Sequence, residues 1–230
     1  MPKIPSIQFE SLGRRPFAEV LEMQLKLRRR RQAGEIGDRV LFVEHPRVIT
    51  RGRRPAEEDF KISPAELQGR GFEVADAGRG GRLTYHGPGQ LVAYFIVSLT
   101  MRKLSIPQFV RRVEESVIGS LGEFGIAAAT REGCPGVWVG GSKIASVGFS
   151  VDRGVSMHGV AVNVDPRLED FGVIVPCGIQ DCEITSMRQL LGRAPILVEV
   201  EELLRKKIAE KFDSPSPLVG EGGFDGVETG

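Results

Sequence analysis

The chain has 230 residues and a mass of 25.1 kDa, which suits one globular domain and would cramp two. Apolar residues make up 41% and charged residues 27%, a balance that excludes a disordered or fibrous chain, and no apolar run approaches the ~20 residues of a membrane span. Lys+Arg 31 against Asp+Glu 30 gives a net charge of +1, which argues against a dedicated nucleic-acid binder.

The N-terminus has neither the apolar stretch nor the cleavage pattern of a secretory signal, so a cytoplasmic protein is expected. Pro16 to Gln32 reads as a helix, with Val20, Leu21, Met23, Leu25 and Leu27 at helical spacings. It ends in Arg28–Arg31, where the helix dipole favours cations. That run is either a solvated helix end or a docking patch for an acidic protein. Val40–Glu44 is a buried-type strand stopped at His45-Pro46, and Arg47–Arg51 is a possible resumption. Gly71–Ala75, Leu83–His86 and Gln90–Leu99 follow as strands. Ser105-Ile-Pro-Gln has the form of an N-cap with Pro in the first turn, and the helix it opens runs to about Phe124, with Val110, Val113, Val117 and Leu121 on one face.

Gly136–Val139, Lys143–Val151 and Val155–Val164 then form three β-rich runs in close succession. Links as short as Gly140-Gly-Ser and Asp152-Arg-Gly-Val force antiparallel pairing, because a parallel return needs a longer crossover. Helices resume at Ser186–Leu191 and Val198–Phe212, the latter with Val200, Leu203, Leu204, Ile208 and Phe212 as its stripe. Helices at both ends with antiparallel strands between define an α+β fold. Residues 1–212 are expected to form a single domain. Residues 213–230 are rich in Gly and Pro, with four acids and no base. They are expected to be a disordered tail, leaving a net +5 on residues 1–212 and a mild preference for acidic partners.

Four segments carry potential chemistry. Arg79-Gly-Gly-Arg-Leu-Thr-Tyr-His-Gly-Pro-Gly-Gln90 combines tight-turn glycines with polar side chains. It lacks the Gly-Lys-Ser/Thr ending of a Walker loop and opens no helix, so it is neither that loop nor a dinucleotide fingerprint. Lys143 enters an otherwise apolar strand, either as an edge-strand guard against aggregation or as a buried, chemically tuned amine. Cys177, between Pro and Gly, is either a small apolar filler or a nucleophile needing activation by a nearby cation. Cys134 has similar local chemistry, and Cys182 is five residues on. Met157-His-Gly-Val-Ala-Val-Asn163 places a His and a Gly in a strand. Three cysteines are an odd number, and no Cys-x-x-Cys pair or clustered histidines suggest zinc. A Cys–Lys pair suits acyl transfer, and a Cys–His pair using His86 or His158 is its competitor.

Arg79-Gly-Gly-x-x-Thr-Tyr-His-Gly-Pro-Gly-Gln with Tyr94, Gly136-Val-Trp-Val, Ser142-Lys-Ile-Ala-Ser, His158-Gly-x-Ala-x-Asn, and Val175-Pro-Cys-Gly-Ile with Thr185-Ser occur in this order. Together they resemble the octanoyl-[acyl carrier protein]:protein N-octanoyltransferase family, also called lipoyl(octanoyl) transferases or B-type lipoate–protein ligases. The resemblance spans about Leu21 to Leu190. It implies the biotin/lipoyl protein ligase catalytic fold on a mixed, largely antiparallel sheet. It implies Cys177 as the acyl-accepting nucleophile, with Lys143 lowering its pKa. It implies acyl-binding positions at Arg79, Gly80, Gly81, Arg82, Leu83, Thr84, Tyr85 and His86, at Ser146, Val147 and Gly148, and at Gly159, Val160 and Ala161. The family often has Leu where this chain has Arg51.

The implied donor is octanoyl-acyl carrier protein, whose phosphopantetheine arm carries the thioester. The implied acceptors are lipoyl domains of 2-oxoacid dehydrogenase complexes and the glycine cleavage H protein. Neither ATP nor a metal is expected, and no nucleic-acid or membrane partner. The rivals are an ATP-dependent lipoate or biotin ligase on the same fold, a non-catalytic acyl-binding protein and a Cys–His hydrolase.

Overall fold

The computed structural model describes residues 6–54, 57–175 and 182–213. Cys177 and the tail from residue 214 onward lie outside the described residues. A six-stranded sheet forms the frame. Gln8–Arg14 (β1) pairs in parallel with Arg39–Glu44 (β2), and the helix Phe17–Gln32 (α1) makes the crossover between them. β2 then pairs antiparallel with Gln90–Ile96 (β6), β6 with Val155–Asn163 (β9), β9 with Ser142–Asp152 (β8), and β8 with the edge strand Val137–Val139 (β7). The two hairpins fall where the short links require them. β1, mostly exposed, shows no apolar alternation, and its pairing with β2 alone defines it.

Val48–Arg51 (β3) does not resume β2. Pro46 has no N–H to offer a ladder, and the chain turns there into a second sheet. In it β3 lies between Glu73–Asp76 (β4), parallel, and Leu83–His86 (β5), antiparallel. The short helix Pro64–Gly69 (α2), with a Ser63–Glu66 capping box, links β3 to β4. Leu99–Arg102 (α3) leads into Ile106–Gly122 (α4), whose Ser105 cap accepts the Gln108 N–H while Gln108 Oε1 accepts the Ser105 N–H at 2.9 Å. Met187–Leu191 (α5) and Leu197–Asp213 (α6) complete the order, so α6 runs through Asp213. The architecture is α+β on a mixed, largely antiparallel sheet. No helix among the described residues is long and apolar enough to cross a membrane.

Strand side chains alternate between faces, and the two faces of the large sheet bury different things. Toward α4 and α6 point Val40, Phe42, Ala93, Phe95, Val160 and Val162. There Phe95, Phe109, Phe149 and Phe212 interlock, with ring centroids 4.8 Å apart at the closest. Val200, Leu204, Ile208 and Phe212 of α6 are buried as their spacing requires, while Leu203 is only half-buried. Toward α1 and the second sheet point Leu41, Val43, Val92, Tyr94 and Ala161. The buried stripe of α1 is Phe17, Val20, Gln24 and Arg31, while Leu21, Met23, Leu25 and Leu27 are only partly covered. Arg31 turns inward to Asp38 at 2.7 Å, and Asp38 also binds Arg102 and the Ser98 N–H. The basic helix end is therefore divided, with Arg29 and Arg30 exposed and Arg31 buried.

Candidate active site

β5 sorts its own motif. Leu83 and Tyr85 face a separate apolar cluster with Ile49, Leu67 and Phe171, where the Tyr85 hydroxyl donates to Asp170 at 2.9 Å and Arg47 grips the same carboxylate. Thr84 and His86, the alternate residues, face the large sheet. Arg82 turns outward to Asp59 at 2.6 Å. The Gly80 N–H donates to the Phe149 carbonyl at 2.9 Å and fastens this loop to β8. Arg79 stays buried, its Nη2 donating to the Thr50 carbonyl at 2.7 Å. The loop packs so tightly that a side chain on Gly52 would lie 2.2 Å from the Gly81 carbonyl oxygen.

Between loop and sheet lies a cavity of about 300 Å³, its mouth included, lined by Arg79, Thr84, His86, Val92, Ser146, Val147, Gly148, Gly159, Val160 and Ala161. Most of that volume is open to solvent, and the enclosed part is about 30 Å³, room for a water or two and well below the usual size of a ligand pocket. Gly80, Gly81, Arg82, Leu83 and Tyr85 do not line it. Gly148 and Gly159 are cross-strand partners, so at that point the wall carries no side chains. A Cβ at Gly148 would come 3.1 Å from Arg79 Cδ, and one at Gly159 would meet the Ala93 carbonyl oxygen at 1.8 Å.

The three histidines, scattered in sequence, converge beside this cavity. His45 and His86 have ring centroids 6.0 Å apart, and His158 lies 6.4 Å from Tyr94, which itself donates its hydroxyl to His45 Nε2 at 2.9 Å. His45 Nδ1–H donates to the Arg15 carbonyl, and His86 Nδ1–H to Gln90 Oε1 at 2.7 Å. Burial, with His45 nearby, pushes His86 down to about 3. Burial, reinforced by the Arg79 cation, does the same to His158. Burial also lowers His45 and raises Tyr94. These rings are neutral at neutral pH and supply polar contacts without charge. From His86 a chain of amides runs through Gln90 to Asn163 at 2.9 Å and on to the Thr185 carbonyl at 3.0 Å.

Lys143 sits on β8 just ahead of the cavity wall and is 1% exposed. It is not an edge-strand guard, because β7 pairs outside it. Its Nζ donates to the Pro135 carbonyl at 3.2 Å and lies 4.7 Å from the centre of the Trp138 ring. Gly136 leaves room for its stem, since a Cβ there would be 3.3 Å from Lys143 Cε. Glu114 accepts the Gly136 N–H at 2.8 Å, and burial raises its pKa although nearby Lys143 opposes that shift. The backbone of Lys143 holds the returning chain, donating to the Glu183 carbonyl at 2.8 Å and accepting the Thr185 N–H at 3.0 Å. Cys134 and Cys182 are both half-buried, and the Cys182 thiol donates to the Glu183 carbonyl at 3.8 Å.

Two positions escaped the motif-based reading. Glu114 was signalled only by an acid on the apolar side of α4, and Gln24 by a polar residue inside the apolar spacing of α1.

A buried lysine and a small cavity share one strand inside this two-sheet frame, and the frame is that of a lipoyl-ligase-type catalytic domain. The crystal structure of a lipoate-protein ligase A bound with ATP superimposes with a TM-score of 0.72 over 90% of this chain and 85% of that one, at 17% identity, a likeness of fold alone. A family model described as the lipoyl protein ligase A/B catalytic domain matches residues 16–209. The octanoyltransferase of Chloroflexus aggregans is 44% identical over 205 residues, covering 88% of this chain and 93% of the relative. That of Alkaliphilus metalliredigens is 46% identical over 183 residues, covering 79% and 84%. The chain belongs to the lipoyl protein ligase A/B catalytic-domain family and, within it, to the octanoyltransferases.

Proposed function

We propose that this acyltransferase moves the octanoyl group from acyl carrier protein to the target lysine of a lipoyl domain through an acyl-thioester on Cys177. The observation that carries the reading is the order of features along β8, where buried Lys143 is followed directly by the Ser146–Gly148 wall of the cavity. Val175 and Cys182 are the described residues on either side of the segment containing Cys177. Glu183 and Thr185 are bonded to Lys143 itself.

In the first step Lys143 takes the thiol proton and the Cys177 sulfur attacks the donor thioester. A carbon–sulfur bond forms to Cys177, the bond to the phosphopantetheine sulfur breaks, and the arm leaves with a proton. One thioester replaces another, so neither ATP nor a metal is required. In the second step the lysine ε-amine attacks the acyl-enzyme. The amide bond forms, the bond to Cys177 breaks, and the amine proton passes to Lys143. The amide is the more stable product and draws the relay forward. Each methylene taken up by the cavity contributes about 0.8 kcal/mol, which favours an acyl chain that fills it. The reading places the reaction in the cytoplasm, with acceptors among the 2-oxoacid dehydrogenase complexes and the glycine cleavage H protein.

Intact-protein mass after mixing with octanoyl-acyl carrier protein, without ATP, tests the relay. An octanoyl adduct is expected on the wild type, absent from Cys177→Ser and discharged by a lipoyl domain. Octanoylation that requires ATP and free octanoate would make the chain an adenylating ligase instead.

A further inference from the structure

β9 is irregular where it walls the cavity. Its pairing on the β6 side breaks off at Gly159–Tyr94 and resumes only at Val155–Ser98, while its pairing with β8 continues through His158–Phe149. The cause is His158, which adopts a φ of 66° in the middle of a central strand. Side chains other than glycine rarely occupy that region, and they persist there only when the surroundings hold them. What holds it is Gln24 of α1. The His158 N–H, turned out of the ladder, donates to Gln24 Oε1 at 2.9 Å. Gln24 is completely buried, and both its Nε2 and His158 Nε2 have no partner among the described residues.

Leaving buried polar atoms unpaired costs stability. A leucine at 24 would remove the unpaired amide nitrogen, but it would also take away the acceptor of the His158 N–H. The arrangement therefore serves the geometry of the next residue. Gly159 follows directly, faces Gly148 across the cavity wall, and has no room for displacement toward Ala93. We propose that Gln24 is a positioning residue that clamps β9 at His158 and so fixes the wall of the acyl cavity and its preference for chain length. The inference rests on the cavity being the octanoyl site.

The test compares hexanoyl, octanoyl and decanoyl carrier-protein donors. Gln24→Leu removes the acceptor, and Gln24→Met does so with the original side-chain length. Both are expected to raise KM for the octanoyl donor about tenfold with kcat little changed, and to flatten the preference among the three chains. Adding His158→Gly to Gln24→Leu is expected to recover most of that preference, because glycine holds a positive φ unaided. Hydrogen exchange at the amide of residue 158 is expected to quicken in both single variants, and it reads the clamp independently of turnover. Unchanged KM, chain profile and amide exchange would overturn the proposal. So would a loss not recovered by His158→Gly, or variants that only unfold, which would assign Gln24 to stability. A wild type that transfers no octanoyl group would instead overturn the functional reading, and the exchange measurement would still decide the clamp.

Discussion

The two faces of the large sheet are built from the same strands and do different work. The face under α4 and α6 is dry, formed by Val, Leu, Ile and four interlocked phenylalanines. The face under α1 and the second sheet buries three histidines, Tyr94, Gln24 and Arg79 beside a cavity walled by paired glycines. Strand alternation lets one residue string serve both. Val160 packs toward α4 and α6, while its neighbour Ala161 packs toward α1. Apolar packing is thereby concentrated on one face and the buried histidine rings on the other. Changes to the two faces should separate folding from activity.

The largest expected effect is at the chemistry. Cys177→Ala should remove transfer altogether, and Lys143→Ala should lower kcat by about 10²–10⁴-fold, the usual worth of a positioned proton carrier. Single-turnover transfer from octanoyl-carrier protein measures both, and a Lys143→Ala variant with wild-type kcat would refute its role. On the opposite face, Phe109→Ala should cost about 3–5 kcal/mol of unfolding free energy, because the ring is fully buried against Phe149 at 4.8 Å. Urea unfolding reads this, and the folded fraction should keep its preference among acyl chains. A changed preference would mean that the faces are coupled.

The contrast also predicts a pH dependence. His86 and His158 are held at about 3 in the folded protein, against 6.5 in their unperturbed state. As pH falls below 6.5 the unfolded chain gains protons that the native chain refuses, so stability is full above that value and falls progressively toward pH 3. Each such histidine costs about 1.4 kcal/mol per pH unit in that window. Between pH 7 and pH 5 the pair should cost on the order of 4 kcal/mol. Denaturant unfolding at the two pH values measures it. Replacing His86 by Gln should remove about half of the slope, and an unchanged slope would place the titration elsewhere.

How much of this was legible in the sequence depends on range. The Ser105 cap, the hairpins of β7, β8 and β9 and the apolar stripe of α6 are local, and spacing alone places them. β1 was not legible, because its partner strand lies beyond a whole helix and its own side chains are mostly exposed. β3 looked like a continuation of β2, because composition does not reveal that a proline diverts the chain into another sheet. The motif Arg79 to His86 located the cavity but not its orientation. Strand alternation sends Thr84 and His86 inward and Leu83 and Tyr85 away, and a motif read as a string treats them alike. Gln24 and Glu114 carry no motif at all. Only the partners they meet across the fold, the His158 N–H and the Gly136 N–H, distinguish them from surface residues.

The smallest expected effect is also the most discriminating between the two faces. Gly148 is on a strand, with a φ any residue can adopt, so its lack of a side chain is a matter of space. A methyl group there would sit 3.1 Å from Arg79 Cδ. That atom lies in the middle of a side chain whose guanidinium is tied to Thr50 by bonds of 2.7 and 2.9 Å, so it has little freedom to retreat. The methyl group must then protrude into the cavity or push Arg79 toward the acyl chain. Gly148→Ala should raise KM for the octanoyl donor about tenfold, equivalent to about 1.4 kcal/mol of binding. It should leave the thermal midpoint within a few degrees, since no contact of the dry face is touched. A shorter hexanoyl chain should lose less than the octanoyl chain if the methyl group shortens the cavity. Equal losses for both would instead mean that Arg79 has moved, and that the cavity wall is set by the arginine rather than by the paired glycines.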